Sequence, residues 1–443
     1  MTPQRAVILA TTLYAFIFFA LGVDRYLTYH SGADLGLFVQ TIASAFSGFS
    51  NTVEGQSHFA YHFSPILYLC APPLWLAHSA IALIAIQAVA TSLIAPALFA
   101  IARKRVDARF AAALACAALL YPPLQGVTFT EFHETAFMPA TIAWLLWAID
   151  ARRLRVALAL VVVALGIKED QAPALAWLGL ALLAWPAARA EAQMRSFAFA
   201  TIGLAIVAFT GYFGVVRGLA GVAQPWHPAH FYAWFATGAT LDPPLQQILG
   251  RLTYLAEAFV PLAFVPLRSP AIILAVPGFV EVLASKESLT YTMGQHYPAV
   301  WVPYVLVAFV LAACDVWKRR ERRARAYLRA SVALCLLIGV AASPLHLGHF
   351  LGPRTAHDAA LDRIVALVPR DATVGTHDEI YAHLGFVRGA AIGLATHPQY
   401  ALFDDTYYSR AWVQTIKPEL QKEIGAGVYH PVASTDFVTL YSR

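Results

Sequence analysis

Long apolar runs separated by short polar stretches recur from Ala6 to Ala342. They fall near Ala6–Gly22, Ala80–Ala102, Phe110–Tyr121, Ala136–Ile149, Val156–Ile167, Ala172–Pro186, Phe197–Val216, Leu252–Pro266, Ala271–Leu283, Pro298–Trp317 and Ala330–Ala342. In lipid a spanning segment must satisfy its own backbone hydrogen bonds, so each run is expected as a helix. The pattern gives an all-α polytopic membrane protein with about 11 transmembrane helices. Phe110–Tyr121 and Val156–Ile167 are shorter than the ~20 residues of a full crossing. Short spans thin the bilayer or end in a water-filled cavity, and the polar motifs at their ends favour a cavity. His62–Ala77 (HFSPILYLCAPPLWLA) is apolar but contains Pro65, Pro72 and Pro73. Proline removes a donor and breaks helices, so this stretch is expected to be interfacial or re-entrant.

From about Pro344 the pattern changes. The charged fraction rises and no long apolar run appears. Asp358–Leu367 has helical spacing, with Leu361, Ile364, Val365 and Val368 on one face. Ala372–Gly375, Ala401–Phe403 and Asp436–Tyr441 read as strands. The expected organisation is a transmembrane domain over 1–343 and a small α/β domain over 344–443.

Composition sharpens this picture. Of 443 residues, 59% are hydrophobic and 13% charged, against roughly 25% charged in a soluble chain. The four cysteines, Cys70, Cys116, Cys314 and Cys335, lie in or beside apolar stretches without metal-ligand spacing and read as buried hydrophobes. Ala6–Gly22 has no cleavage motif after it and reads as a retained first helix. The net charge of +5 is concentrated in Arg103–Arg105, Arg152–Arg155, Arg189 with Arg195, Arg268, and Lys318–Arg329. Such clusters between spans report orientation rather than nucleic-acid binding. The expected spans put all of them, with Arg5, in the cytoplasm, and the C-terminal domain outside. A crossing at His62–Ala77 would invert every later cluster, so parity and proline agree.

With that orientation the unusual polar residues fall on the outer side. The first outer loop holds Asp24, Arg25, His30, Asp34, Gln40, Glu54 and His58, and its GADLGLFVQ stretch opens an amphipathic helix. Asp34, near that helix start, is either an N-cap carboxylate or a functional one. Glu131, His133 and Glu134 follow Tyr121-Pro122-Pro123; on a helix the two glutamates share a face. They suit divalent-cation binding, proton exchange, or an interfacial helix start. Lys168, Glu169 and Asp170 sit in a near-loopless turn, as a solvated hairpin or a cavity lining, and Lys168 suits a phosphate. His62 opens the proline-rich segment, and His296 with Tyr297 opens a late span. Trp226, His227, His230, Phe231 and Tyr232 lie in a long outer loop, where aromatic residues are ordinary interface anchors. No P-loop, G-x-S-x-G, H-E-x-x-H or Rossmann fingerprint occurs. The signal is collective, because ionisable groups at membrane depth are costly and mark function.

GADLGLFVQ, HFSPILYLCAPP, FTEFHETAF, GIKEDQAP and GQHYPAVWVPY follow one another in this order. In that order they resemble a family of polytopic membrane proteins of unknown function grouped with the glycosyltransferase C superfamily. The resemblance covers nearly the whole chain. It implies interfacial helices in the first outer loop, which suits His62–Ala77. It implies a catalytic acidic residue there, at the position of Asp34, and a polyprenyl-phosphate-linked sugar donor bound from the outer leaflet. The family's other motifs coincide with Glu131, His133, Glu134, Lys168, Glu169, Asp170, His296 and Tyr297. Many superfamily members pair two acidic residues in the first loop, whereas Leu35 follows Asp34 here. Metal use is therefore unassigned, with Glu131 or Asp170 as the second carboxylate for a divalent cation.

The resemblance implies an integral membrane glycosyltransferase acting on an extracytoplasmic glycan, lipid or protein acceptor, with Asp34 as base. Lys168 and His296 would meet the phosphate. Glu131, His133 and Glu134 would hold the acceptor, position a cation or orient Asp34, and Trp226, Phe231 and Tyr232 would stack on sugar or line the lipid entrance. Two alternatives are a transporter or flippase of a lipid-linked or small anionic substrate, and a non-enzymatic scaffold or receptor. Short proline-interrupted spans also mark transport sites, but the sequence shows no repeated half, and its polar residues lie at one face.

Overall fold

The computed structural model describes residues 1–221, 231–232, 234–237, 243–409 and 411–443. Trp226, His227 and His230 lie outside the described residues. Each expected apolar run is helical over at least part of its length. The expectation of about eleven spanning helices is not matched by helix length. Among the described residues four helices are long and apolar enough to cross a membrane: Pro3–Leu27, Ile81–Arg103, Ala192–Leu219 and Glu321–Ala341. Ala108–Ala118 and Pro122–Phe129 make a fifth if taken together, bent by 53°.

Proline explains much of the shortening. Pro122 and Pro123 end one helix and start the next, and Pro270 and Pro277 divide the run to Leu283 into a 3-10 turn and a helix, Val276–Leu283. In each case proline occupies the first turn, where its missing N–H costs nothing. Pro65–Cys70 and Ala71–Ala77 follow the same rule, so this segment is a short broken helix. On the first helix Leu9, Leu13 and Phe16 stay 56%, 53% and 65% exposed, as a lipid-facing side requires.

The two ends of the bundle differ in chemistry. At one end Arg105 and Lys104 pair with Asp150, the latter at 2.8 Å, Arg152 pairs with Glu191 at 2.6 Å, and Phe110 stacks on Trp317 at 4.0 Å. This gathers four of the basic stretches that follow the apolar runs. The opposite end carries the segment after the first helix and the C-terminal α/β part.

That part is built on a five-stranded sheet. Its strands are β1 (Thr373–Thr376), β2 (Gly389–Ile392), β3 (Tyr400–Asp404), β4 (His430–Thr435) and β5 (Val438–Ser442), in the order β2-β1-β3-β5-β4. β1 runs parallel to β2 and β3, with Val374 opposite both Ala390 and Tyr400; β5 is antiparallel to β3 and β4. Alternation sends Leu402 to one face, against Leu361, Ile364 and Leu440, and Ala401 and Phe403 to the other, against Trp412 and Leu420. The helix expected at Asp358–Leu367 is Ala356–Val365, started by a capping box between Thr355 and Asp358. The three expected strands correspond to β1, β3 and β5. β2 and β4 were not anticipated: β2 is a four-residue run of small residues ending in Ile392, and β4 is an edge strand opening on His430-Pro431.

The sheet is fastened to the segment that follows the first helix. His383 stacks between Tyr26 and Tyr29, at 4.1 and 3.8 Å. Gln40 donates to the carbonyls of Val387 and Ala390, at 3.1 and 2.9 Å. At Gly36 an added Cβ would lie 2.6 Å from the Tyr381 ring and 2.8 Å from its carbonyl oxygen, so only glycine permits this approach.

Candidate functional site

Asp34 lies in the first turn of the helix Ala33–Ala43, but the N-cap is Gly32, and no side chain of the helix caps it. The cap comes from a distant segment. The Glu131 carboxylate accepts from the amides of Gly32 and Leu35, the second at 3.1 Å, and pairs with Arg25 at 2.9 Å. A carboxylate at a helix N-terminus is stabilised by the unpaired amides and the helix dipole. Arg25 also donates from Nε to the carbonyl of His30 at 2.9 Å and lies 4.0 Å over the Phe350 ring. Glu131 therefore does the capping that the sequence left open for Asp34. The Asp34 side chain, 52% exposed at the mouth of the site, is left for other work.

Glu131 and Glu134 do not share a helical face as the spacing suggested. His133 is extended (φ −140°, ψ 150°), and the 3-10 turn begins only at Glu134. Gln87 holds this stretch open, donating to the Thr130 carbonyl at 2.6 Å and accepting the His133 amide at 3.0 Å. Glu131 consequently points to Arg25, and Glu134 to Lys168.

His133 lies between the two glutamates. Its Nδ1–H donates to the Glu131 carbonyl at 2.9 Å, leaving Nε2 3.4 Å from the Asp34 carboxylate. His296 stacks on the His133 ring at 3.6 Å, and Tyr297 lies 4.1 Å from the His296 ring. Burial disfavours the imidazolium of His133, but the facing Asp34 carboxylate and Glu134 outweigh it and raise its pKa. Burial likewise works against the Asp34 carboxylate, and His133, Arg25 and Lys168 together still hold it below the usual range. Both shifts favour the imidazolium–carboxylate form of the pair. His296 is pushed well below the usual histidine value by burial and by His133, so it is neutral. It can offer a phosphate a hydrogen bond but no charge.

The Lys168–Asp170 turn closes the other side. Lys168 pairs with Glu134 at 3.2 Å, and Glu134 is 1% exposed with Oε2 lacking a hydrogen-bond partner. Glu169 reaches the proline-rich segment, accepting from His62 Nδ1 and from the Phe63 amide, both at 2.8 Å. Despite burial, the His62 ring and the Lys168 charge hold Glu169 down at about 2. Burial pushes Asp170 up to about 6, against the pull of Lys168. Lys168 stays protonated, because Glu134, Asp170 and Glu169 outweigh its burial. The turn is thus the lining of a polar site rather than a solvated hairpin.

Asp34, Glu131, His133, Glu134, Lys168, Glu169, His62, His296 and Tyr297 are brought together, and Asp170 lies within electrostatic reach of Lys168 and Glu134. Sequence reasoning missed Arg25 and Gln87 as positioning residues, and Glu281, which lies near Asp170 and Lys168. Tyr232 donates to the Glu281 carbonyl at 3.0 Å and interacts electrostatically with Asp170 and Lys168. A cavity of about 820 Å³ is lined by Tyr291, Met293 and Gly294 and by Gln246, Thr253 and Glu257, and by none of the polar residues gathered around Asp34. Among the described residues no group of three or more His, Cys, Asp or Glu is arranged to hold a metal ion.

A pattern shared across residues 26–438 identifies the chain as a member of the DUF2079 family of predicted membrane proteins. No curated protein matches it. Its fold is similar to that of ArnT from Cupriavidus metallidurans bound to undecaprenyl phosphate, with a TM-score of 0.60 at 13% identity over 98% of this chain and 97% of that one. The apo state of the same protein gives a TM-score of 0.54 at 14% identity, over 98% of each chain. The chain therefore shares the fold of that protein and is a multi-pass membrane protein.

Proposed function

We propose that the protein is an extracytoplasmic-facing membrane glycosyltransferase that moves a sugar from a polyprenyl-phosphate donor to an acceptor hydroxyl, with Asp34 as base. The observation that carries this reading is the exposed, ionised Asp34 carboxylate. It is held by His133 and by the Glu131-capped helix, in a fold similar to that of a protein bound to undecaprenyl phosphate. In the reaction the acceptor oxygen bonds to the anomeric carbon as the bond from that carbon to the phosphate oxygen breaks. The acceptor proton passes to Asp34, and polyprenyl phosphate leaves as an anion beside Lys168. A carboxylate with a depressed pKa is a weak base, but it stays charged at neutral pH, and the acceptor proton becomes acidic only as the new bond forms.

Lys168 is the cation for the leaving phosphate, as a point charge. Its pairing with Glu134 holds the ammonium in place before substrate arrives. His296 and Tyr297 contribute uncharged hydrogen bonds. Residues 1–343 form the membrane domain, with the N-terminus and the basic clusters cytoplasmic, and residues 344–443 form an extracytoplasmic domain. The test is mass spectrometry of cell-envelope glycans and lipid-linked sugars with and without the gene. A glycan lost together with an accumulated lipid-linked sugar supports the reading, and identical profiles contradict it.

A further inference from the structure

The C-terminal sheet carries a second constellation that the transfer chemistry does not use. β1 and β3 are parallel neighbours, and the chain leaves their carboxyl ends in opposite directions, from β1 to β2 and from β3 to β4. Open α/β sheets bind ligands outside the strand ends at such a switch point. Here His377 follows β1 and Asp404 ends β3, and the Asp404 amide donates to His377 Nε2 across the gap at 3.3 Å. Since Nε2 accepts, the ring proton is on Nδ1, and that atom is buried without an acceptor in a residue 2% exposed. Asp404 also accepts from His357 Nε2 at 2.7 Å, while His357 Nδ1 meets Asp436 at 2.6 Å. Tyr407 stacks on His377 at 4.0 Å and donates to Asp378.

We propose that this switch point, formed by His377, Asp404, His357, Asp436, Asp378 and Tyr407, binds a neutral or amino-substituted sugar of the acceptor. The site offers a buried N–H donor, fixed carboxylate acceptors and an aromatic face. Sugar hydroxyls both donate and accept, and so match that set. A phosphorylated sugar does not, because Asp378, Asp404 and Asp436 outnumber the one imidazolium. Nor do these residues form a metal-binding group. The location joins the site to the transfer centre. Glu379, next to Asp378, interacts electrostatically with Arg25 and Glu131, and Tyr381 packs on Gly36 of the Asp34 helix. A glycan held at the strand ends is thus bound on the side of the sheet that docks onto that helix. This inference rests on the glycosyl-transfer reading for the meaning of "acceptor", but not for the binding itself.

The test is capture of the full chain, purified in detergent, on a printed array of neutral, amino-substituted and phosphorylated oligosaccharides. Wild type and Asp34→Asn should capture the same neutral or amino-substituted sugars. Asp436→Asn and His357→Gln should lose capture by about tenfold or more, the scale of a lost charge-assisted hydrogen bond. Asp436 is 42% exposed, so its variant remains informative if the other fails to fold. An unchanged unfolding midpoint for Asp436→Asn separates lost recognition from lost structure. No sugar captured by wild type, preference for phosphorylated sugars, or equal capture by Asp436→Asn would overturn the proposal. Ordinary transfer by Asp34→Asn, with capture still dependent on Asp436, would overturn the base assignment and leave this site standing.

Discussion

His133 sets its Nε2 3.4 Å from the Asp34 carboxylate while its Nδ1–H is committed to the carbonyl of Glu131. One imidazole therefore links the proposed base to the segment that caps the base's own helix. Its charge, with those of Arg25 and Lys168, keeps the Asp34 pKa low against burial.

Replacing that charge should move the acid limb of the pH–rate profile. In wild type, activity persists as pH falls below the ordinary carboxylate value near ~4, because Asp34 remains ionised. His133→Gln removes the cation, so Asp34 takes up its proton at a higher pH, and the acid limb shifts upward. On the alkaline side, wild type should lose rate as His133 deprotonates above its raised pKa, and the variant should lack that limb. The measurement is kcat against pH for both proteins; superimposable profiles would remove His133 from this role.

Glu131→Ala should cost more than activity. It removes two backbone hydrogen bonds at the helix start and leaves Arg25, 11% exposed, without its carboxylate. Breaking a buried pair on one side typically costs about 3–5 kcal/mol. A lowered unfolding midpoint and poor membrane accumulation are expected, with Arg25→Met/Glu131→Gln less damaging than Glu131→Ala.

Lys168→Ala has two consequences that can be separated. It strands the buried Glu134 carboxylate, which destabilises, and it removes the cation for the phosphate. Pairing Lys168→Met with Glu134→Gln should restore the unfolding midpoint and leave the apparent KM for the lipid donor raised by about tenfold or more. A donor KM equal to that of wild type would exclude Lys168 from phosphate binding.

Glu379 gives a pH signature outside the membrane. Burial, and the nearby Asp378 and Asp404 carboxylates, push it up to about 8. The folded state therefore holds a proton that the unfolded chain releases near ~4.3, and this group lowers stability as pH rises between those values. Glu379→Gln should flatten the fall of the unfolding midpoint from pH 5 to 8, with the largest gain at the alkaline end. Parallel curves for the two proteins would contradict the assignment.

Much of this was legible in the chain because burial in lipid has a strong signature. The apolar runs marked the helices, and proline set His62–Ala77 apart from them, where the structure has the short helices Pro65–Cys70 and Ala71–Ala77. The polar residues that meet were already visible as ionisable groups at the ends of apolar runs. Helix length was less legible, because a run of apolar residues does not reveal where Pro122 or Pro277 starts a new helix. The pairing of charges was hidden altogether. Nothing local says that Glu131, not Asp34, caps Ala33–Ala43, since that contact joins positions 96 and 99 residues apart. The strand-end cluster left a trace, in His377-Asp378-Glu379 directly after β1 and in Asp404-Asp405 at the end of β3. The sheet order that makes it a switch point depends on β2 and β4, which are too weakly patterned to read.

The most direct test is turnover of a polyprenyl-phosphate-linked sugar by the purified protein in lipid, wild type against Asp34→Asn. Loss of transfer by about 10²-fold or more, with an unchanged unfolding midpoint and intact donor binding, is the result expected if Asp34 is the base. Full transfer by Asp34→Asn would contradict it.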